Sequence, residues 1–90
     1  MKNLVIYTAK NCPYSQKILA FLYENELPFI EVKLEENKEA VKEIFEVMKE
    51  VRTPTVAIDE GAYKIMTLGW NDQNKKRILA YGASLLGASS

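Results

Sequence analysis

Hydrophobic and polar positions along the chain change period several times, and each change marks an element. Leu4 to Thr8 is a largely apolar run and predicts a buried strand. From Pro13 to Asn25 the period becomes helical, with Ile18, Phe21 and Leu22 on one side, and Leu27-Pro28 ends the helix. Residues 29 to 34 then alternate, Ile30, Val32 and Leu34 against Glu31 and Lys33, as a half-exposed strand does. Asn37 offers a cap for a helix over residues 38 to 50. There Val41, Ile44, Phe45 and Met48 recur at helical spacing beneath a solvated Lys/Glu face.

Thr55 to Asp59 and Ala62 to Leu68 are strand-like and are separated by Glu60-Gly61, a spacing that favours an antiparallel hairpin. Asn71 or Asp72 caps a last helix with Ile78, Leu79, Tyr81, Leu85 and Leu86 as its apolar stripe, and residues 87 to 90 fray into a tail. The order βαβαββα predicts an α/β fold: a four-stranded mixed sheet flanked by three helices, with helices on both faces and a right-handed first crossover.

Composition narrows the function. Ninety residues, 48% of them hydrophobic, make one small domain spanning residues 1 to 90. Twelve basic and twelve acidic residues cancel, so the charge carries no footprint for nucleic acid or an anionic membrane. No apolar stretch approaches the roughly 20 residues of a membrane span, and the start lacks a signal-peptide pattern, which makes the cytoplasm the expected location. One cysteine and no histidine leave no zinc or iron site built from one chain's Cys and His side chains; no metal is expected.

That one cysteine carries the chemistry. Cys12 follows the first strand and opens the run Cys12-Pro13-Tyr14-Ser15 before the first helix. Unpaired N–H groups and the positive end of the helix dipole favour thiolate over thiol at such a junction, and thiolate is the nucleophile. Pro13 fits the first helical position, where its missing N–H costs nothing. Ser15 stands where a two-cysteine redox motif carries its second sulfur, so no disulfide closes within this chain. Ser15 either caps the helix start or donates a hydrogen bond to the Cys12 sulfur. Lys10, two residues before the cysteine, is either a nearby cation or a solvated surface lysine.

The Cys-Pro-Tyr-Ser run at a strand-to-helix junction, the βα pattern and the later Thr53-Pro54 together resemble a glutaredoxin of the one-cysteine type. The predicted element order is that of the thioredoxin-like fold in its small glutaredoxin form. The resemblance implies a glutathione-dependent thiol–disulfide oxidoreductase with Cys12 as catalytic nucleophile, supported by Pro13, Tyr14 and Ser15. Its co-substrate would be glutathione, and its partners glutathionylated proteins or small disulfides, handled by a monomer through a monothiol cycle. Tyr14 is implied to lie beside the glutathione sulfur, and Thr53-Pro54 to be a cis-proline loop facing Cys12, with Thr53 as a main-chain ligand. The family reads Thr-Val-Pro where this chain reads Arg52-Thr53-Pro54, which turns the Arg52 guanidinium into a candidate for a glutathione carboxylate. The family also places a lysine three residues before the cysteine; this chain has Ala9 there and Lys10 one position later.

Leu68-Gly69-Trp70-Asn71-Asp72 resembles the Gly-Gly-X-Asp-Asp segment of glutaredoxins. On that resemblance Gly69 lets ligand approach the backbone, the N–H groups of Trp70 and Asn71 take a γ-glutamyl carboxylate, and Asp72 takes its ammonium; ordinary capping by Asn71 and Asp72 is the competing role. Two alternative readings remain, the first known from one-cysteine glutaredoxins that carry Cys-Gly-Phe-Ser where this chain has Cys12-Pro13-Tyr14-Ser15. Some one-cysteine glutaredoxins carry a glutathione-ligated 2Fe–2S cluster between two chains, and a dithiol glutaredoxin with its second cysteine changed to serine would read the same.

Overall fold

The computed structural model describes residues 3–59 and 64–87. Strand β1 (Asn3–Thr8) leads through the cysteine loop into helix α1 (Pro13–Glu24), and strand β2 (Ile30–Lys33) follows. A short 3-10 turn, Leu34–Glu36, precedes helix α2 (Lys38–Met48). Strands β3 (Thr55–Asp59) and β4 (Lys64–Leu68) then lead to helix α3 (Asp72–Gly87). The sheet order is β2-β1-β3-β4, with β1 parallel to β2 and the other two pairs antiparallel. Residues 60–63, including the expected Glu60-Gly61 turn, lie outside the described residues, as do the tail beyond Gly87 and the side chains of Leu85 and Leu86.

Strand β1 is internal, and its two faces feed separate cores. Leu4 and Ile6 join Val56 of β3, Ile18 and Leu22 of α1, and Ile78 and Tyr81 of α3. Tyr7 of the opposite face joins Ala57, Met66 and Ile44 of α2, with Val5 packed against them. The antiparallel register accounts for this split: Ile6 lies opposite Val56, and Val5 opposite Ala57. Helices α1 and α3 therefore cover one face, and α2 the other. On the α2 face a polar link reinforces the packing, since the Glu43 carboxylate accepts from the Tyr7 hydroxyl at 3.4 Å and from Lys64 Nζ at 3.2 Å.

Helix α1 ends in a Schellman turn: Leu27 N–H donates to Leu22 C=O, Glu26 N–H to Tyr23 C=O, and Glu26 takes a left-handed φ of 53°. The Asn25 side chain adds a bond to Phe21 C=O at 2.8 Å.

Five sequence expectations are corrected. Strand β2 is shorter than residues 29 to 34, because Phe29 turns into the α1/α3 core and Leu34 already opens the 3-10 turn. Ile30, expected on the buried side, is 50% exposed at the open edge of the sheet. Helix α2 stops at Met48, where Lys49 enters the left-handed region, and it meets the sheet along Ala40, Ile44 and Met48; Phe45 is consequently 55% exposed. Leu79 is likewise exposed, since α3 turns Ile78 and Tyr81 inward.

Candidate active site

The site lies at the C-terminal end of β1. Asn11 takes a positive φ of 66°, and Cys12 is the N-terminal cap residue of α1 with extended backbone; its C=O accepts the first helical bonds from Ser15 and Gln16. Pro13 begins the helix as expected. The Thr53–Pro54 peptide bond is cis and faces this turn: the Thr53 hydroxyl donates to the Cys12 sulfur at 3.1 Å, and the thiol donates to Thr53 C=O at 3.5 Å. Residues 41 positions apart are thus joined at the sulfur.

Ser15 is fully buried and accepts from the Ala9 N–H at 3.4 Å. No side-chain capping bond is formed at this helix start. Ser15 therefore does not cap α1; its hydroxyl favours the Cys12 thiolate. Burial pushes the Cys12 thiol up, but the hydroxyls of Ser15 and Thr53 and the N–H groups of Ser15 and Tyr14 outweigh it, and the thiol lies below its ordinary value. In the thiol form sulfur is a weak acceptor for amides; ionised, it draws them, which is why the first turn favours the charge without capping the neutral group.

Tyr14 is 53% exposed beside Cys12, with Lys17 Nζ 5.4 Å from its ring centroid. Lys10 is exposed; its backbone N–H donates to Glu35 at 3.1 Å, and the residue lines a cavity of ≈ 350 Å³ together with Gln16, Glu31, Lys33 and Glu35. Arg52 is exposed too, and its guanidinium pairs with Glu50 at 3.3 Å.

The segment after β4 is tied to the proline loop. Gly69 N–H donates to Pro54 C=O at 2.7 Å, so the Thr53–Pro54 and Gly69–Asp72 segments are neighbours. Gly69 has φ 88°, a conformation that L side chains rarely adopt. Trp70 packs edge-on against Phe21, centroids 5.4 Å apart, and carries Lys75 Nζ 4.8 Å over its ring. Asn71, rather than Asp72, caps α3: its side-chain oxygen accepts from the Asn74 N–H at 2.9 Å. Asp72 lies in the first helical turn, its side chain 94% exposed and 3.9 Å from Lys75.

Sequence reasoning missed Asn74. It is 1% exposed; its amide donates to the carbonyls of Leu68 and Gly69, and its carbonyl accepts from the Thr67 hydroxyl. The signal was its phase, four residues before Ile78 and seven before Tyr81, on the stripe that faces the sheet.

A central β1 delivering a lone cysteine to a helix start, with a cis-proline segment against the sulfur, defines a thioredoxin-fold thiol protein. Residues 4–62 match the glutaredoxin family profile, and the chain belongs to that family. It is a protein of thiol-oxidoreductase type. Solved structures agree on the fold. The thioredoxin-like protein BC3987 is similar at 21% identity and TM-score 0.69, over 84% of this chain and 99% of that one. The glutaredoxin grx-1 from Archaeoglobus fulgidus is similar at 19% identity and TM-score 0.67, over 88% and 87%. Glutaredoxin from Brucella melitensis is similar at 24% identity and TM-score 0.57, over 94% and 85%. No curated protein sequence matches the chain. Among the described residues no helix is long and apolar enough to cross a membrane, and no group of three His, Cys, Asp or Glu could hold a metal.

Proposed function

We propose that this glutaredoxin uses glutathione to reduce mixed disulfides by a monothiol cycle. The observation that carries the reading is Cys12, poised toward thiolate by Thr53 and Ser15, with a buried hydroxyl where a second sulfur would resolve the adduct. The Cys12 thiolate attacks the glutathione sulfur of a substrate–glutathione disulfide; a bond forms between the Cys12 and glutathione sulfurs, the bond between the glutathione and substrate sulfurs breaks, and the substrate thiolate takes a proton from water. A second glutathione thiolate then attacks the glutathione sulfur held on Cys12, releasing oxidised glutathione and the Cys12 thiolate. A depressed thiol pKa serves both steps, since Cys12 is first nucleophile and then leaving group.

Glutathione would lie between the two joined segments. Thr53 offers its backbone, Trp70 and Asn71 offer N–H groups to the γ-glutamyl carboxylate, and the exposed Asp72 offers its charge to the ammonium. Arg52 and Lys10 carry exposed cations for the glycine carboxylate, Arg52 after leaving Glu50. Glutathionylated proteins or small disulfides are the proposed substrates, met by a monomer in the reducing cytoplasm, with no metal required. Intact mass after oxidised glutathione tests the reading. A single glutathione adduct that free glutathione removes supports it; an unmodified protein, or an adduct that glutathione leaves in place, overturns it.

A further inference from the structure

We propose that Asn74, outside the residues that touch sulfur or ligand, is a positioning residue whose buried amide sets the Gly69–Trp70 turn against the proline loop and thereby substrate affinity. A buried primary amide has to satisfy two donors and an acceptor. Asn74 does so within one turn of chain. Its NH2 donates to Leu68 C=O, at 3.4 Å, and to Gly69 C=O, while the Thr67 hydroxyl donates to its oxygen and fixes which way the amide points. The Asn74 N–H is itself held by Asn71, so helix start and turn are locked together.

The lock reaches the site through one further bond. Gly69, held by its carbonyl, donates its N–H to Pro54 C=O at 2.7 Å, and Thr53, the next residue back, donates to the Cys12 sulfur. A glycine at φ 88° has no side chain to keep it in place. The turn that presents the Trp70 and Asn71 amides therefore takes its geometry from Asn74. The affinity half of the proposal rests on the glutathione reading above; the turn-holding half does not.

Asn74→Asp keeps an acceptor for Thr67 but has no NH2 for the two carbonyls. It is expected to speed hydrogen exchange of the Gly69 amide by about tenfold or more, with the Ile6 amide in β1 unchanged. It should also raise KM for a cysteine–glutathione mixed disulfide about fivefold, with kcat within about twofold. Thr67→Val, which leaves the Asn74 carbonyl without its donor and frees the amide to rotate while keeping both NH2 donors, should move both readouts the same way by less, and Thr67→Ser should restore them. Because a buried carboxylate can loosen the whole fold, Thr67→Val and Thr67→Ser decide the matter if Asn74→Asp does not fold. Unchanged Gly69 exchange, or loss of protection equal across the sheet, overturns the turn-holding role. Lost protection with unchanged KM overturns the link to affinity. A parent protein that does not turn over the mixed disulfide overturns the proposed function and the affinity link, and exchange still decides whether Asn74 holds the turn.

Discussion

Helices α1 and α2 start in opposite ways. Asn37 caps α2 in the ordinary manner, its side-chain oxygen accepting from Ala40 N–H at 3.0 Å, and Glu39 adds an acid to the first turn. Helix α1 has Cys12 at the same position, no side-chain capping bond and no acid in its first turn. A neutral oxygen cap uses the amide donors for stability, worth about 1 kcal/mol. Leaving them to a sulfur that forms no such bond as a thiol gives up that stability and keeps the donors for the thiolate. A helix start can hold a chain in place or activate a nucleophile, and this chain separates the two tasks between two helices.

The largest expected effect comes from converting the first kind of start into the second. Cys12→Ser provides a good capping oxygen and removes the nucleophile. Turnover of a glutathione mixed disulfide, coupled to glutathione reductase, should vanish, while the thermal midpoint holds or rises. Activity near the parent level would end the assignment of Cys12, and a large drop in stability would end the idea that capping is forgone there.

Thr53→Val tests the donor that reaches across from the proline loop. Losing a hydrogen bond to a charged group should cut the rate of Cys12 alkylation at neutral pH by about tenfold and move its pH midpoint upward, towards the ordinary thiol range. The sign of the linked stability follows. A thiol with a depressed folded-state pKa favours the fold as pH rises from that value to the ordinary one, and the gain is lost as pH falls back through the folded-state value. Parent and Cys12→Ser should therefore diverge in stability over that interval, with the parent gaining; parallel curves would show that the thiolate is not held by the fold.

What was legible in the sequence was what local spacing controls. Cys12 at a strand-to-helix junction, the Asn37 cap and the bounds of β3 all follow from neighbours a few residues away. The cis bond at Pro54 and its place opposite Cys12 came through the family resemblance, because nothing within a few residues of Pro54 reveals which strand end it faces. Phe45 was misjudged because periodicity fixes a helix's stripe only to within a residue or so, and the sheet takes Ala40, Ile44 and Met48. Asn74 went unread because a polar type adds nothing to an apolar stripe, whatever its helical phase. Ser15 was half read: its position implied a role at sulfur, but its complete burial depends on the fold closing over it.

Asn37→Ala breaks the ordinary start. It should lower stability by about 1 kcal/mol, read as a shifted denaturant midpoint, and leave mixed-disulfide turnover unchanged, since α2 covers the face of the sheet away from α1 and α3. A comparable loss of activity would mean that α2 communicates with the cysteine end after all.

The smallest effect sharpens the contrast by giving α1 what α2 already has. Gln16 is exposed in the first turn of α1, where Gln16→Glu adds a carboxylate near the helix N-terminus. Two consequences oppose each other. The acid favours the helix dipole and should raise stability slightly, by about 0.3 to 1 kcal/mol at low ionic strength. It also competes with the Cys12 thiolate for the same positive end and repels it directly, so alkylation at neutral pH should slow by about two- to fivefold. Both changes involve an exposed charge, and both should shrink together as salt is raised toward 1 M, where the screening length is about 3 Å. Slower alkylation that ignores salt would point to altered packing around Cys12 instead. Unchanged alkylation beside a real gain in stability would mean that the helix end can serve a carboxylate and the sulfur at once, and the missing acid in α1 would have no bearing on the nucleophile.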